Sequence, residues 1–155
     1  MGGGAAITAG LSISGCAEPG AVLDGAALDT LAAMSHHLYP HDRLDEAHYR
    51  TSIEGLEEKA RLNSDIRSQL IAGVKALNSG ASPSGFTDID PADQFPIVES
   101  LEGSDFFETV RSHVVVSLYQ DKRVWEKLGY EGPSFPFGGY LERGFDDIDW
   151  LPKTS

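Results

Sequence analysis

From Asp24 to Leu128 large apolar side chains recur every three or four residues, and this period constrains the fold more than any other feature of the chain. A period near 3.6 gathers such side chains on one face of an α-helix, whereas a half-buried strand needs strict alternation, which no segment shows. The clearest stripe is Tyr49, Ile53, Leu56 and Ala60, with Leu44 placed as a hydrophobic staple and Asp45 as the N-cap. Glu54, Glu57, Glu58 and Lys59 fall mostly on the opposite side. Ahead of it, Asp24 caps a first helix with Leu28, Leu31, Ser35 and Leu38 on its stripe, and Pro40 stops it. Behind it, Asn63 or Ser64 caps a third helix carrying Ile66, Leu70, Val74 and Leu77, with Gly80 just beyond its end.

Residues 79–87, SGASPSGFT, form the strongest internal loop signal. Asp90-Pro91 then opens a fourth helix with Phe95, Val98 and Leu101 on its stripe, and Pro96 inside it should kink or shorten it. After Gly103-Ser104, a fifth helix carries Phe106, Val110, Val114 and Leu118. Its Val114-Val115-Val116 triplet is β-branched, but the helical period runs through it, so helix is expected. Val124, Trp125 and Leu128 mark a last short helix ended by Gly129. The expectation is an all-α fold: a bundle-like array of five to six helices with an irregular aromatic C-terminal tail. It divides into a leader (1–22), a helical domain (23–129) and a Gly/Pro/aromatic tail (130–155).

Charge narrows the function. The 155 residues carry a formal net charge of -12, which repels phosphate backbones and argues against nucleic-acid binding. The acidity serves solubility, or it presents an acidic face to a basic partner. The single cysteine, Cys16, cannot form an internal disulfide. It ends an uncharged segment in which Ala5 to Gly15 are small and apolar, too short to span a bilayer but of the length of a signal-peptide core. Ile13-Ser14-Gly15-Cys16 resembles a lipobox, making Cys16 a candidate for lipidation, although no basic residue precedes it. Three readings stay open: a start placed too late with the basic part upstream, a disordered small-residue leader, or an ordered arm.

Candidates for chemistry are few. His37 and His41 have the one-turn spacing of zinc or iron ligands, with His36 and His48 nearby, but Pro40 breaks the turn between them. Histidines at a helix C-terminus also serve the helix dipole. Gly2-Gly3-Gly4 lacks the strand and the third glycine of a dinucleotide fingerprint. No GxSxG elbow, phosphate loop, CxxCH haem site or cysteine cluster occurs. Asp146, Asp147 and Asp149 read as solvated loop carboxylates. The reading assigns no catalytic, cofactor-binding or metal-binding residue. A free-standing His-cluster metalloprotein and an acidic helical lipoprotein are the alternatives to an accessory role.

The end of the chain is unlike the rest. Tyr130, Phe135, Phe137, Tyr140, Phe145 and Trp150 are six of the chain's 14 aromatic residues. Pro133, Pro136 and Pro152, with Gly132, Gly138, Gly139 and Gly144, exclude a regular helix or a central strand there. Rings of this size need cover, either from the helical core or from a groove in another subunit.

A family likeness comes from motif order. Leu38-Tyr39-Pro40-His41-Asp42, followed by a helix running to Leu56-Glu57-Glu58-Lys59-Ala60, resembles the opening of the gluconate 2-dehydrogenase subunit 3 family. Phe106-Phe107 resembles its middle; Trp125, Leu128-Gly129-Tyr130-Glu131-Gly132-Pro133 and Gly144-Phe145-Asp146-Asp147 resemble its end. The likeness covers about residues 25–152. It implies a small, non-catalytic subunit that binds, stabilises and helps export a large FAD-dependent, GMC-type dehydrogenase acting on sugars or polyols, often with a cytochrome c subunit. It implies a periplasmic location reached by a twin-arginine route, with FAD held in the partner. A twin-arginine pair and a basic n-region are missing here, which leaves the cytoplasm as the alternative. The contact regions expected under this reading are Tyr39, His41 and Asp42 at the corner after the first helix, and the six aromatic residues of the tail.

Overall fold

Each helix begins where the sequence offers an oxygen to otherwise unpaired amides, or a proline that has none to pair. The computed structural model describes residues 22–141 and Arg143. Within them it shows six helices and no strand: α1 (Gly25–Leu38), α2 (Glu46–Leu62), α3 (Ser64–Gly80), α4 (Pro91–Glu99), α5 (Asp105–Gln120) and α6 (Lys122–Leu128). Asp24 Oδ1 accepts from the Ala27 amide at 2.7 Å, and Asp45 Oδ1 from His48 at 3.3 Å. Asn63, rather than Ser64, caps α3, accepting from Asp65 and Ile66 at 2.8 and 3.2 Å. Ser104 and Asp121 do the same for α5 and α6. Pro91 opens α4. Gly129 ends α6 at a φ of 79°, a left-handed turn that glycine adopts without strain.

The sequence stripes become the core. Leu31, Tyr49, Ile53, Leu56, Leu70, Leu77, Val110, Val114 and Leu118 are all buried, and α1, α2, α3 and α5 pack on one another around them. α4 packs against α1 and α3, and α6 against α5. Val114 is buried while Val115 and Val116 face outward, as neighbouring positions on a helix must. Val22, one residue before the expected boundary, also packs against the core. No described helix is long and apolar enough to cross a membrane. Residues 1–21, with Cys16 and the rest of the expected leader, lie outside the described part, as do Phe145 and Trp150.

Helix α4 departs from the expected stripe. It stops at Glu99, so Leu101 lies in the following turn, where its amide binds the Val98 carbonyl. The inward positions are Gln94 and Val98, and Phe95, one position round the helix, is 52% exposed. Gln94 accepts burial because its amide nitrogen donates to the carbonyls of Phe86 at 2.8 Å and Ile89 at 3.3 Å. Helix α3 also includes Gly80, with Ala81 as its cap.

Helix α5 sits close to its neighbours because two of them present no side chain at the contact. A Cβ on Gly73 of α3 would overlap the Phe106 ring, and one on Gly55 of α2 would lie 2.9 Å from Cε1 of His113. Nothing lies within 4 Å of a Cβ at Gly25. Gly73→Ala is therefore expected to lower stability by about 1–3 kcal/mol through overpacking, although alanine is the better helix former. Gly25→Ala should be neutral or slightly stabilising. Thermal melts followed by circular dichroism separate the two; an unchanged midpoint for Gly73→Ala would contradict the close approach.

Candidate functional site

The corner after α1 is held to α5. The Tyr39 hydroxyl donates to the Arg111 carbonyl at 3.1 Å, and the Tyr39 carbonyl accepts from the Tyr49 hydroxyl at 2.7 Å. His41 Nε2 and the Tyr119 hydroxyl share a 2.6 Å hydrogen bond. The Tyr39 and His41 rings each meet the Tyr119 ring edge-on, at centroid distances of 5.9 and 5.6 Å. Both side chains are half-buried, so they serve first as struts between α1 and α5, whereas Asp42 is exposed. The same joint continues into α6, where the Trp125 indole donates to the Tyr119 carbonyl at 2.6 Å.

The histidines diverge. His37 Nε2 faces Gln94 Oε1 at 2.7 Å; with the Gln94 amide nitrogen already donating to Phe86, the oxygen accepts and His37 Nε2 carries the proton. His36 meets the Tyr49 ring at a tilt of 56° with centroids 4.8 Å apart, and His48 Nδ1 binds Asp45 Oδ1 at 2.7 Å. Among the described residues no three His, Cys, Asp or Glu side chains converge as metal ligands. His37 and His41, the pair with ligand spacing, turn to different partners because the helix ends at Leu38 between them.

A fifth histidine, His113, bridges α5 and α2. Its Nε2 donates to the Ser52 carbonyl at 3.0 Å, and Ser117 Oγ donates to the same oxygen at 2.6 Å. Burial holds this imidazole below its ordinary pKa of 6.5; Lys59 adds to the shift, and the bond to Ser52 opposes it. Burial likewise raises the phenols of Tyr49 and Tyr119.

The tail divides in two. Its first residues touch the helical part: Tyr130, still half-exposed, meets Trp125 edge-on with centroids 5.3 Å apart, and Gly132 lies against the same indole. Beyond Ser134, a single 3-10 turn at Phe135–Phe137 leads outward. Phe135 is 92% exposed, Phe137 68%, Tyr140 67% and Leu141 85%. Arg143 partly stiffens this run, lying 4.5 Å above the Phe137 ring and pairing with Glu131 at 2.6 Å.

A groove of about 530 Å³ separates the end of α1 from α4 and α5. Leu38, Val98 and Phe107 form its apolar part, exposed Phe95 borders it, and Tyr39 reaches it from the corner. Glu99, Glu102 and Glu108 stand around it. Sequence reading missed this feature, because it took Phe95 as a core residue; the signal it passed over is the run of carboxylates without a basic residue around α4. No protein family, curated protein or solved structure matches the chain.

The state of His113 has a pH consequence. Its folded pKa lies below the unfolded one, so the unfolded chain binds more protons and stability falls as pH drops below about 6.5. His113→Gln, which keeps a donor for the Ser52 carbonyl, should flatten the fall in melting temperature between about pH 7.5 and pH 5. The removed slope is at most about 1.4 kcal/mol per pH unit. Identical pH profiles for the two proteins would show that His113 is not protonation-restricted.

Proposed function

We propose that the chain is a non-catalytic small subunit that binds and stabilises an FAD-dependent, GMC-type dehydrogenase acting on sugars or polyols, and assists its export to the periplasm. The observation that carries this reading is the run from Phe135 to Leu141, where four large apolar side chains stand in solvent within seven residues. Burying each against a partner contributes on the order of 1.5–3 kcal/mol, which offsets part of the entropy lost on association. Aromatic anchors at the centre of a contact are the usual carriers of such energy. The order of motifs from Leu38 to Gly144-Phe145-Asp146-Asp147 supports the flavoprotein as the partner, by resemblance. Under this reading FAD, and any cytochrome c haem, belong to the other subunits, and the small subunit supplies surface rather than chemistry.

Affinity-tagged chain recovered from its native host should bring down a yellow, FAD-containing protein. Deleting residues 130–155 should lower that recovery while leaving the helical circular dichroism signal in place, since the core of the described residues is built from side chains between Val22 and Leu128. Clean monomer from the host, with normal dehydrogenase activity after gene deletion, would defeat the reading. Full recovery with the truncated chain would remove the tail from the contact.

A further inference from the structure

We propose that the groove between α4 and α5 is a second docking site, for a basic segment of a partner protein that inserts an apolar anchor beside Phe95 and sets Lys or Arg against Glu99 and Glu102. The shape supplies the anchor site: Leu38, Val98 and Phe107 form the apolar part of the groove, and Phe95 stands half in solvent at its edge. Phe95 and Glu99 are one helical turn apart on α4, so anchor and carboxylate face the same way.

Charge selects the occupant. No Lys or Arg occurs between Lys75 and Arg111, while Asp88, Asp90, Asp93, Glu99, Glu102, Asp105 and Glu108 all fall in that stretch and all are exposed. Of the two nitrogen bases that line the groove, Arg111 is committed to Glu108, with its Nε and Nη2 at 3.0 and 2.7 Å from the same oxygen, and His37 Nε2 is turned to Gln94 Oε1 at 2.7 Å. Glu99 and Glu102 make no ion pair among the described residues. Such a rim repels phosphate, so neither nucleic acid nor an anionic lipid surface suits it. A second copy of the chain would bring the same negative face to this one. A basic, amphipathic protein segment satisfies both the apolar groove and its rim. This inference stands apart from the subunit reading, because the groove accepts such a segment whatever protein carries it.

The test uses the full chain and a fluorescein-labelled helical peptide with Leu anchors at helical spacing and Lys elsewhere, read by fluorescence anisotropy. Binding of this peptide, and none of its Glu-for-Lys counterpart, is expected. Glu99→Lys/Glu102→Lys and Phe95→Ser should each weaken binding about 10-fold or more. Glu54→Lys/Glu126→Lys, with the same change of charge at exposed positions away from the groove, should weaken it less than about 2-fold. Melting curves check that every variant folds. Equal losses in both charge-reversal pairs would reduce the effect to overall acidity and overturn the proposal, as would unaltered binding by Phe95→Ser or no binding at all. Dimerisation of the chain, or binding to phosphatidylglycerol vesicles, that is lost in Phe95→Ser would assign the groove to a second copy or a lipid surface and overturn it equally.

Discussion

The close seating of α5 against α2 and α3 is the constraint on which the other contacts depend. Phe106 fits where Gly73 has no side chain, and His113 fits over Gly55. That approach brings the Ser52 carbonyl within reach of both His113 and Ser117, so α2 and α5 are joined by polar as well as apolar contact. A buried bond of this kind costs more to lose than it contributes when made, which fixes the register of the two helices. With α5 so placed, its Arg111 carbonyl and Tyr119 hydroxyl meet the corner after α1, and its end carries α6. Shifting α5 by one turn would break all of these together.

Much of the helical framework was legible because it rests on local rules. Asp24, Asp45 and the pair Asp90-Pro91 mark helix starts by chemistry that needs no tertiary context, and the stripes of α1, α2, α3 and α5 became the core. The valine triplet in α5 was correctly read from its period against its β propensity. What escaped depended on partners distant in sequence. Gln94 looks polar and Phe95 apolar, yet the carbonyls of Phe86 and Ile89 make Gln94 the better inward residue. The notch at Gly73 has no signature in α3 itself, because its meaning lies in the ring of Phe106.

The candidate contact residues sorted themselves along the same line. Tyr39 and His41 stood out as an unusual corner, and their polar atoms turn out to be spent on α5 and α2. Tyr130 lays one edge against Trp125 and leaves about half of its surface in solvent, 49%. Phe135, Phe137 and Tyr140 stay outside that framework, since proline and glycine around them provide no regular backbone to carry them back to the core. The surface thus has two characters: an aromatic run after α6, and an acidic, groove-bearing region around α4. Contacts at the first would be governed by apolar area and those at the second by ionic strength, so salt would discriminate between them.

The indole of Trp125 has an optical consequence. It lies between the Tyr119 carbonyl, which takes its N–H, and the Tyr130 ring and Gly132 of the first tail residues. The chain's other tryptophan, Trp150, lies beyond the described residues, near the end of the tail. The two emitters therefore divide the protein between them: one reports the joint where α5, α6 and the tail meet, the other the tail's far end. With Trp150 replaced by phenylalanine, the remaining emission becomes a built-in gauge of whether that joint stays closed.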